Sequence, residues 1–61
     1  MSEQHLPEAR RKDVFQALVE AQDRGMSPAE SRKSVRERFG VSEDQVRKIE
    51  QEGLDKEWPP L

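Results

Sequence analysis

The sequence has no cysteine, so neither a disulfide nor a thiolate-bound zinc ion can staple the fold. Its one histidine, His5, stands near the N-terminus with no second imidazole to join it, and no metal site is expected. No apolar run approaches the roughly 20 residues of a membrane span. The opening Met1-Ser2-Glu3-Gln4-His5 lacks the basic and apolar regions of a signal peptide, so a cytoplasmic protein without membrane contact is expected. A glycine-rich phosphate loop is missing, and no serine has a plausible histidine partner. A core this small would also struggle to preorganise an active site. Neither an enzyme nor a cofactor is expected.

What remains is a short, charge-rich chain. Sixty-one residues leave room for one domain, 1–61. At this size only about 60% of the unfolded surface is buried on folding, so stability is expected to be marginal. Charged residues make up 39% and hydrophobic ones 31%, a balance that edges towards disorder unless helices organise it. The 11 basic and 13 acidic residues leave a net charge of −2, and a pI near 5.4 argues against a nonspecific nucleic-acid coat. Their order matters more. Between residues 32 and 48, Arg32, Lys33, Arg36, Arg38, Arg47 and Lys48 outnumber Glu37, Glu43 and Asp44, whereas the stretch from Glu50 to Glu57 is acidic.

Helix punctuation appears three times, and no stretch alternates with the period of a strand. Pro7-Glu8 opens a first helix, with proline at the first helical position and an acid near the positive end of the dipole. Val14, Leu18 and Ala21, flanked by Phe15 and Val19, form a stripe wide enough to cover two other helices, and Gly25 stops it. The run Arg10-Arg11-Lys12 works against the dipole and is expected to be solvated, with a phosphate-binding arm as the alternative. Ser27-Pro28-Ala29-Glu30 is a capping box that Met26 can staple. The helix behind it has a thin apolar face of Ala29, Val35 and Phe39, and Gly40 ends it. Ser42-Glu43-Asp44-Gln45 is a second capping box; Val46 and Ile49 follow, and Gly53 is expected to close the third helix. Leu54 and Trp58 read as anchors of a tail whose Pro59-Pro60 cannot be helical. The expectation is an all-α three-helix bundle, with helices over about 7–24, 28–39 and 42–52 and a non-helical tail over 53–61.

The break between the second and third helices carries the most information. A turn this tight needs a residue that accepts positive φ, which Gly40 does without a Cβ clash. Val41 fits the inside corner, Val35 and Phe39 meet Val46 and Ile49, and Ser42 caps the next helix at once. That is the pattern of a helix-turn-helix.

The run Phe39-Gly40-Val41-Ser42-Glu43-Asp44-Gln45-Val46-Arg47-Lys48-Ile49-Glu50 resembles the helix-turn-helix in the C-terminal promoter-recognition region, region four, of bacterial primary sigma factors. That family typically reads phenylalanine, any residue, valine, threonine, arginine, glutamate, arginine, isoleucine, arginine, glutamine, isoleucine, glutamate. The resemblance covers about the last 30 residues and implies a small bacterial transcription regulator whose third helix lies in the major groove of double-stranded DNA. By position it implies Gln45, Arg47 and Lys48 at bases and phosphates and Ser42 near the backbone, while Arg36 and Arg38 on the preceding helix are candidates for phosphates. One such domain binds few phosphates, so a homodimer through the first helix or a larger partner such as RNA polymerase is expected. Where the family has two arginines this chain has Glu43 and Gln45, and Glu43-Asp44 repels phosphate. The alternative is therefore a protein-interaction module of the same fold, docking on transcription machinery or a sigma partner without binding DNA.

Overall fold

The computed structural model describes residues 6–61; the reading of His5 and the opening residues lies outside them. Three helices follow one another: α1 (Glu8–Asp23), α2 (Pro28–Phe39) and α3 (Glu43–Lys56). Each packs on both others, and no strand occurs among the described residues. The chain is an all-α three-helix bundle.

Local chemistry sets the helix starts. Ser27 Oγ accepts from the Glu30 N–H at 3.2 Å, and the Glu30 carboxylate accepts from the Ser27 N–H at 3.1 Å. Ser42 and Gln45 repeat the arrangement, with Oγ accepting from the Gln45 N–H at 3.1 Å and Gln45 Oε1 from the Ser42 N–H at 3.0 Å. Each box satisfies two of the orphan amides of a first turn, and losing a capping serine typically costs about 1 kcal/mol. The staple is not made. Met26 is exposed, and the residue it would meet one turn on is the buried Ser31, not an apolar side chain. At α1, Pro7 is the N-cap rather than the first helical residue, and it supplies no side-chain cap.

The α1 stripe faces inward as expected: Val14, Phe15, Leu18 and Ala21 are buried, with Ala17 beside them. They meet Val35 of α2, Val46 and Ile49 of α3, and Trp58. Phe39, Val41 and Val19 pack around this cluster while staying partly exposed. The thin face of α2 is explained by Ser31, which lies fully buried where Ala29 is exposed. Its hydroxyl donates to the Pro28 carbonyl at 2.8 Å and accepts from Gln22 Nε2 at 3.1 Å, so its burial leaves no polar group unpaired.

The end of α3 departs from expectation. Gly53 does not close the helix; it lies inside it, buried, and α3 runs on to Lys56. A Cβ built there would overlap the Phe15 ring. The close approach of that ring offsets the roughly 1 kcal/mol that glycine costs in a helix interior. Trp58 then folds back over the core, its ring edge-on to Phe15 with centroids 6.1 Å apart. Leu54, expected to be a second anchor, is exposed instead. It sits on the outward side of a helix that was expected to have ended.

The basic run of α1 is not simply solvated. Arg11 Nε and Nη2 reach the two carboxylate oxygens of Glu52 at 2.9 and 3.2 Å, and Nη1 donates to the Leu6 carbonyl. Arg10 lies over the Phe39 ring at 5.0 Å, and Lys12 over Trp58 at 5.9 Å while pairing with Glu8 at 3.6 Å. These side chains bind α1 to the rest of the bundle.

Candidate functional site

With Val46, Ile49 and Gly53 turned inward, the 3.6-residue period places Asp44, Arg47, Lys48 and Gln51 on one outward face of α3. All four are exposed, and Glu43 borders them. Gly40, with φ 68°, ends α2 in the left-handed region and donates its N–H to the Arg36 carbonyl at 2.8 Å. Val41 and the N-cap Ser42 complete the connection. The α3 face therefore begins immediately after α2, with α1 packed against both helices on the core side.

The candidate residues do not form one uniform cluster. Ser42 and Gln45 come together, but in each other's service: the hydroxyl of one and the amide oxygen of the other are engaged in the capping box. Bidentate recognition of adenine needs that oxygen as an acceptor, so Gln45 would have to leave the cap to make it. Arg47 is well exposed and donates from Nη2 to Glu43 Oε2 at 2.9 Å, one turn N-terminal. Lys48 lies exposed beside it.

Arg36 is half-buried, with its Nε shut from solvent and lacking a hydrogen-bond partner. Arg38 is exposed over the Phe39 ring at 5.4 Å. It lines an open cleft of about 270 Å³ together with Asp13, Gln16, Ala17, Glu20 and Phe39, none of them from α3. The other candidates, on α3 and its cap, are thus not accompanied by Arg38 in this cleft.

Two further ion pairs flank α3. Glu50 accepts from Arg32 of α2 at 3.3 Å, and Glu52 from Arg11 of α1 at 2.9 Å. Lys56 also reaches Glu52, at 2.9 Å. The hydrogen bond from Arg11, then that from Lys56, holds the Glu52 carboxyl below the ordinary glutamate value, and Glu52 raises the Arg11 pKa in turn. Two acids of the stretch from Glu50 to Glu57 are therefore tied to neighbouring helices. Arg32, counted among the basic residues of the 32–48 segment, is likewise occupied. Sequence spacing could have indicated the Glu43–Arg47 pair, because a glutamate four residues before an arginine meets it on a helix. Nothing local marks the other two.

No group of acidic or histidine side chains among the described residues is arranged to hold a metal ion. No helix among them is long and apolar enough to cross a membrane. Comparisons with protein-family models, with curated proteins and with solved structures give no match.

Proposed function

We propose that α2, the Gly40–Val41 turn and α3 act as a helix-turn-helix and that the chain is a small DNA-binding transcription regulator of the cytoplasm. The observation that carries this reading is the outward face of α3. Its first two turns are polar and exposed at Glu43, Asp44, Arg47 and Lys48, follow α2 after a three-residue connection, and lie clear of the core that α1 covers. A helix presented in this way can enter a major groove with its first two turns. The resemblance of residues 39–50 to sigma region four supports the same assignment.

In this reading Arg47 and Lys48 meet the DNA directly, and the Ser42–Gln45 box holds the turn that presents them. Arg36 and Arg38 are secondary, bordering the groove at most through phosphates. The wide stripe of α1 is buried within the bundle, so it does not offer the surface for a homodimer. Added affinity would come from a larger partner such as RNA polymerase.

Fluorescence anisotropy with a labelled duplex, measured over a series of salt concentrations, tests the reading. Binding should weaken steeply with salt; the double variant R47A/K48A should bind much more weakly and lower the salt slope by about 1 through the loss of Lys48 at a phosphate. Equal binding by wild type and variant would overturn it.

A second reading is a protein-docking module of the same fold. It is favoured by the Glu43–Arg47 pair, which together with Asp44 leaves the first turns of α3 without net positive charge before Lys48. Retained binding to a transcription protein with no binding to any duplex at low salt would select it.

A further inference from the structure

The geometry points to Glu43 as a positioning residue that aims Arg47 at guanine. This rests on the DNA-binding reading above and names the base that the site takes.

An exposed arginine on a groove-facing helix ordinarily has a choice. Its long stem lets the guanidinium swing to a phosphate or to a base edge, and only the second contact reads sequence. Here Arg47 Nη2 is held on Glu43 Oε2 at 2.9 Å. One such bond uses one of five N–H donors and leaves others on the planar fork for O6 and N7 of guanine, the bidentate contact that suits this group best. Adenine and thymine offer no matching pair of acceptors at that place.

The carboxylate acts in two ways. Once the groove has displaced water, it holds the fork on the base edge. It also repels phosphates, so Arg47 is steered away from the backbone. Asp44 beside it adds to the repulsion. Gln45 keeps its amide oxygen on the Ser42 N–H and so does not compete as an adenine reader from the same turn. The pair is exposed in the free protein, with side chains 64% and 47% accessible, and is weak there. Displacement of water in a groove strengthens it. Acids where phosphate affinity would favour bases are what a turn built for selectivity rather than affinity requires.

The test is selection of bound duplexes from a randomised pool at low salt, using wild type, E43Q, E43A and R47K. Wild type should enrich sites with one fixed guanine, preferred about tenfold or more over other bases there. E43A should bind mixed-sequence DNA more tightly, by about two- to fivefold from the lost negative charge, yet lose most of the preference at that one position. E43Q, which keeps an acceptor oxygen, should fall between, and R47K should abolish the guanine preference. A merely structural role for Glu43 would weaken all sites alike. Unchanged guanine preference in E43A, or no fixed guanine in wild type, would overturn this assignment and leave DNA binding standing. Enrichment of no duplex at all would remove both.

Discussion

α2 and α3 both end on a residue in the left-handed region, but the two endings are made of different material. Gly40, at φ 68° and ψ 33°, adopts that conformation without a Cβ to clash, and its single N–H bond to Arg36 turns the chain into the next cap. Glu57 adopts it at φ 54° and ψ 48°, where a residue with a side chain bears a cost of roughly 1–2 kcal/mol. What offsets that cost is Trp58. Its N–H reaches back to the Gly53 carbonyl at 3.0 Å, the 6→1 bond of a Schellman motif, and its indole is buried against Phe15. Removing a buried aromatic side chain of this kind costs about 3–5 kcal/mol, so burial outweighs backbone strain. At Gly40 local preference decides the ending; at Glu57 tertiary packing decides it.

Trp58→Ala should break this contrast most severely, lowering stability by about 3–5 kcal/mol in urea unfolding and fraying the last turn of α3. A loss well under 1 kcal/mol would mean that the tail is not part of the core. Gly53→Ala comes next. A new methyl against the Phe15 ring should cost about 1–3 kcal/mol through overpacking, although alanine is the better helix former by about 1 kcal/mol. A stabilised G53A would contradict the packing described. The two left-handed positions then form a mirrored pair. Gly40→Ala should destabilise by about 1–2 kcal/mol, while Glu57→Gly should be neutral or slightly stabilising, both read from thermal midpoints.

The smallest effect concerns Glu52, which joins α1 to α3. Because its folded pKa lies below the ordinary value of 4.5, the folded state holds that proton less readily than the unfolded chain. Its contribution is complete above the ordinary value and is lost as pH falls through the lowered one. Glu52→Gln should therefore flatten the acid limb of a plot of thermal midpoint against pH. An unaltered limb would show that the pair adds nothing measurable.

The same contrast marks what was legible in the sequence. Both capping boxes and the bounds of α2 are visible because each depends on residues within one turn of the chain. The end of α3 is not, because Gly53 is kept helical by a phenylalanine of another helix, and no local rule contains that ring. Arg11 and Glu52 lie 41 residues apart, beyond any helical spacing. In the candidate site the outward placement of Arg47 and Lys48 follows from the helical period once Val46 and Ile49 are taken as core. The engagement of Gln45 was implicit in the capping box itself: the residue that closes the box cannot at the same moment offer its amide oxygen to a base. The setting of Arg38 against α1 has no sequence signal, since it depends on how α2 lies across its neighbour.

Backbone amide NMR titration of the chain with a mixed-sequence duplex, at low and then at moderate salt, tests whether the α3 face binds DNA. Shifts should concentrate between Ser42 and Lys48 and diminish steeply as salt rises. An absence of shifts at low salt, or shifts confined to α1, would contradict it.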